Sequence, residues 1–180
     1  MAHSQDTPSQ EADPACAVAH GDVPSPAAER TLVAVFASPV AGYLLRYGAD
    51  LGYRGILMEP DPERAAAVAP GAFEVVTGPA AGLDDTADVV ITDHHRQELG
   101  TVLLGLLAYR PRWIGVMGNP RHPAPHVAAL TGLGVPGEDI ARVHRPVGLN
   151  IGSRTPPEIA IATLAGLIAD RNERPGGFAF

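Results

Sequence analysis

The chain has 180 residues, 46% of them hydrophobic, which is enough for one domain with a real core and too little for two large ones. A net charge of −7 with no basic face excludes nucleic acid as an expected partner, and the lone Cys16 supports neither a disulfide framework nor a cysteine metal site. No apolar run approaches the roughly 18 residues a membrane span needs, and the start lacks the basic and apolar regions of a secretory signal, so a soluble cytoplasmic protein with no membrane partner is expected.

Residues 1–30 are rich in Pro, Ala, Ser and acid, with Asp6, Glu11, Asp13, Asp22 and Glu29 against the single Arg30. Such a segment buries too little apolar surface to order itself and is expected to be a disordered acidic tail. One domain is expected over 31–172, followed by a short tail at 173–180. Within it, β-rich runs occur at TLVAVF (31–36), RGILM (54–58), FEVV (73–76), DVVIT (88–92) and WIGVM (113–117). Helical stretches alternate with them at Val40–Tyr47, Pro62–Val68, Gln97–Ala108, Pro125–Leu130 and Pro156–Ala169. This alternation predicts a Rossmann-like, doubly wound α/β fold, with a mostly parallel sheet and helices on both faces. Ligands then belong beyond the carboxyl ends of the strands.

The first turn, FASPVAG (36–42), stands where a dinucleotide fold places G-x-G-x-x-G. Ser38 and Pro39 hinder close approach of a pyrophosphate and only Gly42 matches loosely, so NAD(P) is not an expected cofactor. Glu59 ends the second strand, where an acid takes ribose hydroxyls; the slightly favoured alternative is that Glu59 and Asp61 begin the next loop and cap the next helix. The fourth strand ends in ITDHHRQE, bringing Thr92, Asp93, His94 and His95 to the edge. Adjacent side chains rarely face one point, so no metal site is assigned, and a helix cap at Thr92 or Asp93 beside solvated histidines outweighs a proton-moving role. After the fifth strand, in MGNPRHPAPH (117–126), Gly118 and Asn119 permit a close turn and Arg121 or His122 can meet an anion, although three prolines equally suit a rigid loop.

The last stretch, HRPVGLNIGSRTPPEIAIATLAGLIAD (144–170), is the densest. Thr155 to Glu158 reads as a T-x-x-E capping box with proline at the first helical position. Apolar residues cover most of the following helix, which predicts that it is buried. Gly148 and Gly152 allow tight turns, while Arg145, Asn150, Ser153 and Arg154 gather polar groups before a positive helix end. Arg142 to Arg154 contains three arginines and no carboxylate. This combination favours an anion, with a plain capped helix after an irregular loop as the equal alternative. The candidate contacts are therefore Ser38, Glu59, Asp93 and His94 along the edge, Gly118, Asn119 and Arg121 after the fifth strand, and Arg145, Asn150, Gly152, Ser153, Arg154 and Thr155 in the last loop. No nucleophile and base stand at a recognisable spacing, so no catalytic residue is assigned.

VITDHH, WIGVMGNPR and, above all, ARVHRPVGLNIGSRTPPEIAIATLAGLIADR resemble the Rossmann domain of the XdhC/CoxI family, accessory proteins of xanthine dehydrogenase and related molybdenum hydroxylases. The similarity spans about residues 31–171, and the run close to HxPxGLxIGxRTPxEIA is its most specific part. The resemblance implies a maturation factor that binds the molybdenum cofactor transiently, supports its sulfuration and delivers it to a hydroxylase of the xanthine dehydrogenase or CO dehydrogenase type. It implies a cofactor-binding chaperone more than a catalyst, with the client hydroxylase and a sulfur donor as partners and a homo-oligomer left open. On this basis Ser153, Arg154 and free backbone amides near Pro157 orient a phosphate-bearing ligand, and Arg145 adds charge. The sequence departs from the family where a GAGHV-like first turn is Phe36 to Val40, where the usual aspartate before IG is Asn150, and where a GSRR-like turn is Gly118 to Arg121. The separate N-terminal domain with a cysteine motif found in many members is not contained in these residues. Two other readings stay open: an NAD(P)-dependent oxidoreductase on the same fold, and a degenerate, non-catalytic Rossmann module that docks on a hydroxylase or on a full-length relative.

Overall fold

A computed structural model describes residues 14–21, 30–79, 83–119 and 121–177. Most of the stretch expected to be a disordered tail, together with Pro120 and the end of the C-terminal tail, lies outside them. Within the described part of the tail, Pro14–Ala19 form a short helix, α1, where composition predicted no structure. Proline at the first helical position and the alanines that follow favour that turn locally.

The domain runs β1 (Arg30–Val35), α2 (Pro39–Asp50), β2 (Tyr53–Met58), α3 (Pro62–Ala66), β3 (Phe73–Val76), β4 (Asp88–Ile91), α4 (Leu99–Ala108), β5 (Trp113–Val116), α5 (Pro125–Gly132), α6 (Gly137–Ile140), β6 (Val143–His144) and α7 (Pro156–Arg171). The strands form one six-stranded sheet in the order β3-β2-β1-β4-β5-β6, with every neighbouring pair parallel. The chain steps outward from β1 to β3, then returns to lay β4 on the other side of β1. That reversal opens a crevice at the carboxyl edge between β1 and β4.

Alternation along β1 feeds two cores. Leu32 and Ala34 face the helices α2 and α7, while Val33 and Val35 face α4 and α5. Burial on both faces is why the central strands read as continuous apolar runs. Helix α7 differs from expectation. Ala160, Leu164 and Leu167 are buried, but Ile161 is 53% exposed and Ile168 36%, because α7 packs along α2 with one side only and leaves an apolar flank to solvent.

Two glycines seat the loop before α7 against that helix. Gly148 has φ +85°, and a β-carbon on it would stand 2.8 Å from the Ala162 carbonyl. A β-carbon on Gly166 would in turn come within 2.9 Å of the Gly148 α-carbon. The loop is fixed there by the Leu149 amide, which donates to the Ala162 carbonyl at 3.0 Å. At the opposite, amino edge of the sheet, the fully buried Asp88 accepts from Arg112 Nε at 2.7 Å, Arg171 Nε at 2.9 Å and the Tyr53 hydroxyl at 3.2 Å. A buried carboxylate requires such partners, and these tie the carboxyl end of α7 to the sheet.

Candidate functional site

The carboxyl edge divides into two unlike halves. In the half formed by β1 and β2, Phe36 takes φ +71°, a left-handed conformation natural to the glycine that dinucleotide folds use in this turn. Its buried ring is covered by the Arg96 guanidinium, 4.6 Å from the ring centre. Arg96 also forms a two-pronged contact with Glu59, Nη1 to Oε2 at 3.0 Å and Nη2 to Oε1 at 2.9 Å. Glu59 is fully buried and accepts two further bonds, from the Ala37 amide at 2.9 Å and the Asp61 amide at 3.1 Å. Burial alone would raise its carboxyl, but Arg96 and the two amides outweigh burial and hold it below the usual range.

Glu59 therefore does not face a ribose at an open rim, and it does not cap a helix. Asp61 does that, accepting from the amides of Glu63 at 2.9 Å and Arg64 at 3.2 Å at the start of α3. Ser38 is likewise engaged: its Oγ accepts from the Ala41 amide at 3.0 Å, capping α2, and lies 2.9 Å from the Thr92 hydroxyl. The Thr92 hydroxyl donates to the Phe36 carbonyl at 2.8 Å, so Ser38 is left to donate to Thr92. This bridge joins the first turn to the end of β4. Beside it, a hollow of about 430 Å³ is lined by Ala37, Leu57, Val68 and Phe73, with Arg64 and Ser38.

The half formed by β4, β5 and the loop before α7 is open. A cleft of about 810 Å³ is lined on the strand side by His94, Gly118, Asn119 and Arg121, and on the loop side by Asn150, Gly152, Ser153 and Arg154. Val40, Met117, Val147 and Ile159 supply apolar surface, and among the described residues no carboxylate lines it. The side chains of Arg121 and Arg154 are exposed and make no hydrogen bond or ion pair among the described residues. Burial, then the neighbouring His95 and Arg145, push the His94 imidazole below the ordinary histidine range, so it is neutral at pH 7.

The remaining candidates are placed elsewhere. Arg145 turns its guanidinium onto the carbonyls of Asn119 at 2.8 Å and His122 at 3.1 Å, so it braces the 118–122 turn instead of lining the cleft. Gly118 makes room for it, since a β-carbon there would lie 3.0 Å from Arg145 Nη2 and 3.3 Å from the His94 ring. Asp93 accepts from the His95 amide at 2.9 Å in a local turn. Because α4 begins only at Leu99, neither Thr92 nor Asp93 caps it. Among the described residues, no group of three or more His, Cys, Asp or Glu is arranged to hold a metal.

The capping box at Thr155 forms, and it alters the expected anion site. The Glu158 carboxylate accepts from the amides of Arg154 at 2.8 Å and Thr155 at 3.1 Å, while Pro156 and Pro157 carry no N–H. The positive end of α7 is thus filled by its own carboxylate, so the amides of Arg154 and Thr155 are not available to an anion in the cleft. Arg96 is the residue that sequence reading missed. Its signal was indirect: a fully buried acid at a strand end demands a cation, and Arg96 stands 37 positions away from Glu59.

Comparison with known proteins bears on this geometry. A family model described as the XdhC Rossmann domain matches residues 32–167. The uncharacterized protein YqeB of Escherichia coli is 45% identical over 65 residues, a match covering 36% of this chain and 12% of that protein. A solved structure described as a xanthine dehydrogenase from Bacillus halodurans superposes with a TM-score of 0.62 at 23% identity, over 84% of this chain and 45% of that one. That likeness is one of fold. The chain spans less than half the length of either relative.

Proposed function

The chain belongs to the XdhC Rossmann-domain family, and from that premise we propose that it is an accessory factor for a molybdenum hydroxylase, holding the molybdenum cofactor in the cleft between β4, β5 and the loop before α7. The observation that carries this reading is the pair of arginines, Arg121 and Arg154, facing a large cleft without a carboxylate and without internal partners. Forked guanidinium donors suit the phosphate of such a ligand. Asn119, Asn150, Ser153 and neutral His94 supply hydrogen-bonding groups for a polar heterocycle, and Met117, Val40 and Ile159 supply apolar surface for its faces. When bound, the cofactor would bring the molybdenum and sulfur chemistry that the client uses; the residues of this chain bind it, orient it and shield it.

The client hydroxylase and a sulfur donor are the partners this reading requires. No helix among the described residues is long and apolar enough to cross a membrane. The non-catalytic docking module is favoured by one observation, the exposed apolar flank of Leu51, Ile161 and Ile168 along α2 and α7. Capture of the protein with its partners from native cells, followed by pterin analysis of the eluate, separates the readings. A pterin retained by the native protein and lost from Arg154→Ala is the expected result. Tight nicotinamide binding would instead favour the oxidoreductase, and a stable protein partner without any pterin would favour the docking module.

A further inference from the structure

The two hollows at the carboxyl edge share no lining residue, although a dinucleotide in this fold must lie across both. The divide between them is built from named contacts. The Ser38 hydroxyl bridges to Thr92 at 2.9 Å, placing two side chains where the dinucleotide turn has bare glycine backbone. Three amides of the turn are already engaged: Ala37 donates to Glu59 at 2.9 Å, Ala41 to Ser38 Oγ at 3.0 Å and Gly42 to the Ser38 carbonyl at 3.2 Å. Pro39 has no N–H to offer. Behind the turn, the Glu59 carboxylate stands as a built-in anion already paired with Arg96, so the buried cation there is spent on the chain's own acid and is not available to a phosphate.

The open cleft is the opposite. Its unpaired cations, Arg121 and Arg154, come from the loop after β5 and the loop before α7, on the far side of the Ser38–Thr92 bridge. We infer that the cleft accepts a ligand with one heterocycle and one phosphate group and rejects dinucleotide forms, with Ser38, Thr92 and the Glu59–Arg96 pair as the groups that set this limit. This deepens the proposed function and rests on its assignment of the cleft: the phosphate-bearing pterin is held as the mononucleotide-sized form.

Guanosine monophosphate is a suitable probe, because guanine carries the same 2-amino-4-oxo pyrimidine ring as a pterin, on a single phosphate. NADH has two heterocycles joined by a diphosphate. Calorimetric titration of the full chain at low salt should show GMP binding at least tenfold tighter than NADH, with GMP affinity falling about tenfold in Arg154→Ala. In a Ser38→Gly/Thr92→Val variant, where glycine keeps most of the helix-capping ability, NADH should gain affinity severalfold and the preference for GMP should narrow. NADH binding as tight as GMP in the native protein, with the same dependence on Arg154, would overturn the size limit and leave the cleft assignment standing. No binding of either probe would overturn both. An unchanged NADH affinity in the double variant would show that the bridge is not the divide.

Discussion

The two halves of the carboxyl edge use the same residue type in opposite ways. Beside β1 and β2, Arg96 is almost wholly withdrawn from solvent, its charge matched by Glu59 and Glu98. Beside β4 and β5, Arg121 and Arg154 stand in solvent with no partner among the described residues. One half uses its charge for structure and the other leaves its charge facing solvent. Arg96 is spent on an anion that the chain itself supplies, whereas Arg121 and Arg154 are not.

The contrast breaks most severely at the sealed half. Arg96→Ala leaves Glu59 ionised and enclosed without its cation, and should cost about 3–5 kcal/mol of stability. Denaturant unfolding measures this, and a loss below about 1 kcal/mol would mean that water reaches Glu59. The next largest effect lies on the loop wall of the open half. Gly148→Ala forces a side chain into a left-handed residue 2.8 Å from the Ala162 carbonyl and should cost roughly 2 kcal/mol while also weakening anion binding, because the loop can no longer lie on α7. Thermal unfolding beside phosphate titration would read both changes in one variant.

Arg154→Ala should do the converse of Arg96→Ala. An exposed, unpaired arginine contributes almost nothing to stability, so the melting temperature should hold, while affinity for a phosphate ligand drops about tenfold, equivalent to about 1.4 kcal/mol. The smallest effect is one of pH. His94 titrates below its unfolded value near 6.5, so as pH falls through that window the unfolded chain binds more protons and stability declines. Anion affinity should move the other way, rising severalfold as the imidazole gains charge in the cleft. His94→Asn should flatten the affinity profile, and an unaltered profile would remove His94 from the ligand's surroundings. Glu59 titrates below its ordinary range, so the stability it confers is present above about pH 4.5 and is lost only as pH falls through the depressed value. The two halves should thus fail in separate pH windows.

Much of this was legible in the sequence where the signal was local. The period-two and period-three patterns placed five strands and the longer helices within a few residues, and T-x-x-E located the start of α7 at Pro156. Strand β6 escaped because two residues have no periodicity; Val143 and His144 become a strand only through pairing with Ile114 and Gly115. The four-residue α6 was too short for any pattern to mark. Around the cleft, Arg154 was singled out by composition, as one of three arginines between 142 and 154 without a carboxylate, and Arg121 by its place in the loop after the fifth strand. Arg145 belonged to the same cluster and was misread, because its distance from the Asn119 carbonyl exists only after folding. Glu59 was misread for the same reason, and the prolines at 156 and 157, visible from the outset, already limited how many amides the helix could lend to a ligand.

The hub at Asp88 gives α7 a mechanical character. The helix is moored at its carboxyl end by Arg171 and pinned along its length by the Gly148–Gly166 contact, and its sixteen residues reach about 24 Å back to the loop that carries Arg154. It acts as a spar anchored at the far side of the sheet. The position of one wall of the cleft is therefore set by a carboxylate at the opposite edge of the molecule, and a disturbance at Asp88 would be felt as a change in the width of the cleft.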